Sequence, residues 1–182
     1  MLLAGNHIHV RSLYSLRTYS MKILILVRHA KSSWDDTGLP DKYRPLNERG
    51  KRDAPKMGKR LAKRDVEVDL ILASPAKRAI ETARVFADKL DYKRKDIAAD
   101  DRLYPGAVDD LLKIIYNLGK NVNRVMLVGH HPALSKLAHR FSSDINRMPT
   151  CAVAEFKFKA KIWRRVGKST LVNVALDLPK KG

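Results

Sequence analysis

Residues 23–30 read Ile-Leu-Ile-Leu-Val-Arg-His-Ala, and this run constrains the chain more than any other. Five aliphatic residues follow one another without a polar break. A helix or a half-exposed strand would alternate its polar and apolar positions. An unbroken, β-branched run of this length fits a strand covered on both faces, at the centre of a parallel sheet. Open α/β sheets place ligands beyond the carboxyl ends of such strands. Arg28 and His29 would therefore stand at the mouth of a crevice, a cation beside an imidazole.

The chain after this strand repeats the alternation. Residues 69–73 and 124–128 are two more buried strands. Helical spacing of apolar residues marks 76–90, 108–118 and 133–141. An earlier helix carries Ala54, Met57, Gly58, Leu61 and Ala62 on one face, with Asn47 as N-cap. Pro55 either kinks this helix or lies in its first turn, with the regular helix then starting near Asp53. Residues 152–158 and 170–178 close the chain as strands. This order predicts an α/β fold of three layers, α/β/α, around a mostly parallel sheet with an antiparallel edge.

With 182 residues, residues 21–182 suit a single domain. Residues 1–20 hold two arginines and no acid, and Met21 stands directly before the first strand. They are expected to be a dispensable extension: a leader, a tag or an upstream start. Organelle targeting by this segment is the minor alternative to a cytoplasmic protein. The lone Cys151 excludes an internal disulfide and fits a reducing compartment. No Cys/His spacing suggests a metal site, and no apolar run has the roughly 20 residues of a membrane helix. A net charge of +18 favours acidic partners.

Three strand ends supply the chemistry. Arg28 and His29 follow the first, Arg78 follows the Ser74-Pro75 break after the second, and His130 follows the third. If the strands are parallel neighbours, two guanidiniums and two imidazoles meet at one sheet edge. The arginine fork matches phosphate oxygens, and the start of the helix at 76 adds backbone N–H groups. Neighbouring arginines keep a histidine neutral and nucleophilic, and also stabilise the charge of an in-line transfer. Phosphate would move to the histidine and then to water, with no metal or cofactor needed.

Four segments carry a resemblance. They are Leu26-Val27-Arg28-His29-Ala30, Arg44-Pro45-Leu46-Asn47-Glu48-Arg49-Gly50, Ser74-Pro75-Ala76-Lys77-Arg78-Ala79-Ile80-Glu81-Thr82-Ala83 and Val128-Gly129-His130-His131-Pro132. In this order they resemble the motifs of the histidine phosphatase superfamily, whose fold is phosphoglycerate mutase-like. The short length and the Arg-His-Ala-Lys-Ser start resemble its SixA-type phosphohistidine phosphatase branch. The resemblance spans residues 21–178. It implies His29 as the phosphorylated nucleophile and Arg28, Arg78 and His130 as the rest of the phosphate pocket.

Many members add a Glu or Asp that protonates a leaving alcohol. Here Asp101 and Asp109 are the only candidates, and both suit solvated or helix-start positions better. An imidazole leaves more readily than an alkoxide, so the missing acid points to phosphohistidine on a partner protein. A small phosphomonoester is the alternative substrate. His131 fits a supporting place better than a catalytic one, and Cys151 a buried one. Lys31 and Trp34 could border the pocket. A reading from another class rests on Lys157, Lys159, Lys161, Arg164, Arg165 and Lys168, interleaved with Phe156, Phe158 and Trp163. Such a basic, aromatic hairpin could bind nucleic acid, although no recognised motif supports it and alternation would turn the phenylalanines inward.

Overall fold

The computed structural model describes residues 21–180. The extension expected at residues 1–20 lies outside the described residues. Strand β1, Met21–Arg28, is the opening apolar run. Its side chains divide between two cores: Leu24 and Leu26 enter one, Ile25 and Val27 the other. All four are fully buried, which explains why no polar residue interrupts the run.

Five further strands complete one sheet: β2 (Leu70–Ala73), β3 (Ala98–Ala99), β4 (Arg124–Gly129), β5 (Val153–Lys159) and β6 (Leu171–Asp177). The strand order is β3-β2-β4-β1-β5-β6. The first four in this order are mutually parallel, β5 adds on antiparallel to β1, and β6 in turn pairs antiparallel with β5. The expected antiparallel edge is thus two strands wide. Strand β3, only two residues long and made of exposed alanines, carries no periodic signal and is absent from the sequence reading.

Helices α1 (Glu48–Ala62) and α2 (Lys77–Lys89) cover one face. Helices α3 (Val108–Tyr116) and α4 (Ala133–Phe141) cover the other. The three-layer expectation holds, since each pair of helices shares a core with one face of the sheet. Helix α1 corrects one alternative: it begins at Glu48, not near Asp53, and Pro55 lies inside it. Asn47 explains the early start. Its side chain accepts from the Gly50 N–H at 2.9 Å, so the first turn is capped before the proline is reached. Gly50 itself is demanded by packing. A Cβ there would stand 2.2 Å from the Lys31 carbonyl oxygen, to which the Asn47 N–H also donates.

The neighbours β1 and β4 send their chains in opposite directions. From β1 the chain passes to α1 on one face, and from β4 it passes to α4 on the other. Adjacent parallel strands whose connections diverge leave a crevice at their carboxyl ends. Arg28-His29 and Gly129-His130 are the residues at that point.

Candidate active site

The divergence of β1 and β4 brings the two histidine rings together, with centroids 4.9 Å apart. Both residues are more than nine-tenths buried. The His29 N–H of the main chain donates to the Gly129 carbonyl at 3.0 Å, tying the two strand ends. The His29 ring is fixed by its Nδ1, 2.7 Å from the carbonyl oxygen of Ala30. A carbonyl only accepts, so Nδ1 carries the proton and Nε2 keeps the lone pair. Ala30 is held in turn, its N–H donating to Thr82 Oγ1 at 3.0 Å, while the Thr82 hydroxyl donates to the Arg78 carbonyl at 2.7 Å. One turn of α2 therefore braces the nucleophile loop.

His130 takes the opposite tautomer. Arg78 Nη2 can only donate, so the Nδ1 lone pair of His130, 3.3 Å away, accepts. Its Nε2 then donates to Ser74 Oγ at 2.7 Å, and Ser74 Oγ also accepts from the Ala76 N–H. Burial drives both imidazoles toward neutrality. For His29 it is the largest cause, opposed by the Ala30 hydrogen bond and reinforced by Arg78, Arg28 and Arg44, leaving a pKa of about 4. For His130 burial is followed by His29 and Arg78, with Asp41 opposing, and the pKa falls to about 3. Near pH 7 both rings are neutral, and His29 presents an available nucleophilic nitrogen.

Arg28 ends β1 with Nη1 donating to the Met148 carbonyl at 2.9 Å, whereas its Nε is buried without a partner. A buried donor without a partner is costly. Arg78, in the first turn of α2, is only 6% exposed. The four residues singled out in the sequence thus converge: His29 on His130, His130 on Arg78, and both histidines under the charges of Arg28 and Arg78.

Other expectations fall elsewhere. Asp101 and Asp109 are exposed and pair with Lys42 and Arg140 at 3.9 and 3.7 Å rather than with His29, His130, Arg28 or Arg78. His131 supports the turn, with Nδ1 3.0 Å from Ser135 Oγ. Cys151 is buried, but in a turn before β5 and not within a strand; burial pushes its thiol up to about 12. The aromatics of the basic C-terminal stretch, Phe156, Phe158 and Trp163, are buried, and the Trp163 indole donates to the Val122 carbonyl. No base could stack on them.

The sequence reading missed a second shell of the pocket. Asp41, in the long loop after β1, accepts from Arg78 Nη2 and Tyr104 Oη through Oδ2, and from Arg44 Nη1 through Oδ1, each at 2.8 Å. Arg44 is buried, donates further to Ser33 and Ser32, and lies 3.2 Å from the Trp34 ring centroid. Trp34 stacks on Arg44, and the Lys31 main chain accepts from the Asn47 N–H at the start of α1. Tyr104 also meets the His130 ring edge-on, with centroids 5.2 Å apart. Acidic and aromatic loop residues carry no periodicity, and only the nearness of Asp41 to the Arg44-Pro45-Leu46 motif could have drawn notice.

Fold and site together define an α/β protein with a paired-histidine, paired-arginine oxyanion pocket. Residues 24–104 match the model of the histidine phosphatase superfamily, branch 1. An uncharacterised chloroplastic protein of Arabidopsis thaliana is 30% identical over 148 residues, covering 77% of this chain and 68% of its own. An uncharacterised protein of Mycobacterium tuberculosis is 38% identical over 114 residues, 62% of this chain and 67% of its own. Among solved structures, SixA from Agrobacterium tumefaciens superposes with a TM-score of 0.69 at 30% identity, over 76% of this chain and 92% of its own. The chain belongs to the histidine phosphatase superfamily, on its SixA-like branch.

Proposed function

We propose that the protein hydrolyses phosphohistidine on a partner protein through a phosphorylated His29. The observation that carries this reading is the His29 tautomer. The Ala30 carbonyl holds the proton on Nδ1, so Nε2 is the attacking atom and stays unprotonated at neutral pH. Arg28 and Arg78, whose charges both act on the His29 ring, clamp the phosphoryl oxygens. The neutral His130 ring can turn its Nε2–H from Ser74 Oγ to a phosphoryl oxygen and donate to it. These groups supply the positive charge that the transition state requires, so the chemistry needs no metal.

Water then attacks the phosphohistidine of the enzyme and releases phosphate. The pairing of Asp101 and Asp109 with Lys42 and Arg140 rather than with the site residues favours a substrate whose leaving group asks little of a general acid, as a phosphoramidate does. SixA from Agrobacterium tumefaciens shares the fold and is described as a "putative phosphohistidine phosphatase". Small phosphomonoesters are the competing substrates, since a glucosyl-3-phosphoglycerate phosphatase has the same fold. The described residues include no helix long and apolar enough to cross a membrane.

The test is single-turnover labelling with a phosphohistidine protein carrying radioactive phosphate. The wild-type chain should acquire an acid-labile radioactive label, and His29→Ala should neither label nor turn over. Retained turnover in that variant would overturn the mechanism. Preference for sugar phosphates over the phosphohistidine protein would overturn the substrate alone.

A further inference from the structure

Asp41 places a carboxylate at the rim of a pocket built for anions. It lies 13 residues after Arg28 and three before Arg44 in sequence, and it engages Arg78 on α2 as closely as it engages Arg44. Arg78 Nη2 contacts Asp41 Oδ2 at 2.8 Å and His130 Nδ1 at 3.3 Å, so one nitrogen joins the carboxylate to the phosphate site. Three donors occupy three of the roughly four acceptor positions of a carboxylate. One position on Oδ1 is left, and the side chain is 47% exposed. Burial raises the carboxyl, but the hydrogen bonds of Tyr104 and Arg78, with the charge of Arg78 and the hydrogen bond of Arg44, outweigh it and hold the pKa at about 2. Asp41 is therefore no proton donor near neutrality.

A fixed negative charge beside a phosphate clamp repels the dianion and would be a defect for an ordinary phosphatase. It becomes useful if the leaving group brings a positive charge. Resting on the substrate reading above, we propose that Asp41 selects phosphoramidate substrates by accepting a hydrogen bond from the protonated leaving imidazole. An N-phosphorylated imidazole can carry a proton on its other ring nitrogen. Asp41 Oδ1 accepts from that N–H and favours the cationic ring. As His29 Nε2 forms its bond to phosphorus, the P–N bond breaks and its electron pair stays on the departing nitrogen. The ring leaves neutral, keeping the proton it already held. No enzyme acid is consumed, which accounts for the lack of one in the pocket. An alcohol or phenol brings no such proton and gains nothing from Asp41.

The experiment compares kcat/KM of wild type and Asp41→Asn on two small substrates, phosphoimidazole and an aryl phosphate whose phenolate leaves unprotonated. Loss of the charge-assisted hydrogen bond should lower phosphoimidazole turnover about tenfold or more. Removing the repulsive charge should raise aryl phosphate turnover about threefold. A drop of equal size on both substrates would mean that Asp41 only positions Arg78, and would overturn the proposal. So would no change on either, or a loss confined to the aryl phosphate. The wild-type preference between the two substrates tests the phosphohistidine reading separately, because the selectivity assigned to Asp41 lies in the variant's ratio.

Discussion

The two ends of β1 each carry a cation, and they handle it in opposite ways. At the amino end Lys22 is fully buried, with Nζ bonded to the carbonyls of Lys120 and Val122 and to Asn123 Oδ1 at 2.7–3.1 Å. All three of its donors are used, and the ammonium also lies 5.6 Å from the Trp163 ring centroid. At the carboxyl end Arg28 leaves Nε buried and empty beside two histidines that burial keeps neutral. Burial alone does not mark a functional group. What separates the ends is satisfaction: all three Lys22 donors are used, whereas Arg28 Nε has no partner.

Substitution at the open end should give the largest effect on activity and almost none on folding. Arg28→Ala should lower kcat/KM about 10³-fold, roughly 4 kcal/mol of transition-state stabilisation. Denaturant unfolding should show stability unchanged or slightly higher, because a poorly satisfied buried donor is gone. A folded variant with near-native activity would break the comparison. Acid should find the same end. His29 has a folded pKa of about 4 against an ordinary 6.5, so between these values the unfolded chain binds more protons. Its stabilising share is therefore complete above pH 6.5 and is lost as the pH falls to 4. The wild-type loss over this window should exceed that of His29→Gln by about 3 kcal/mol, at 1.36 kcal/mol per pKa unit. Equal losses would show that the ring is not held neutral by its site.

The closed end makes the converse prediction. Lys22→Met should cost about 2 kcal/mol in unfolding experiments, because two carbonyls and an amide oxygen lose their donor. Its kcat/KM should stay within about twofold of wild type. A larger loss of activity than of stability would mean that the two ends of β1 communicate.

The same contrast explains what could be read from the sequence. Residues 23–30 announced the central strand because both faces of β1 are covered, and His29, Arg78 and His130 were legible because each directly follows a strand end or its turn. Asn47 was recognisable as a cap, since capping depends on local chemistry. Asp41, Arg44 and Tyr104 were not, because their meeting depends on how an irregular loop folds back across α2. Lys22 was equally hidden: a lysine beginning a strand looks exposed until Lys120, Val122 and Asn123, about a hundred residues away, supply its oxygens. Strand β3 fell below any pattern at two residues. Periodicity reports burial along one element, whereas satisfaction of a charge is settled between elements.

The smallest effect is the most direct readout of satisfaction. Tungstate is a tetrahedral oxyanion that can meet the Arg28 and Arg78 donors without reacting further. A ligand that binds only the folded chain stabilises it by about 1.4 kcal/mol at tenfold excess over Kd, which for a domain of this size is a rise of about 3–5 °C in Tm. The wild type should show this shift, and Lys22→Met should show it too from a lower starting Tm, because its missing donor faces no ligand. Arg28→Ala should lose the shift, because the empty Nε that the anion would satisfy no longer exists. A full shift in Arg28→Ala would mean that the orphaned donor is not aimed at the pocket, and the contrast between the two ends of β1 would then be one of position alone.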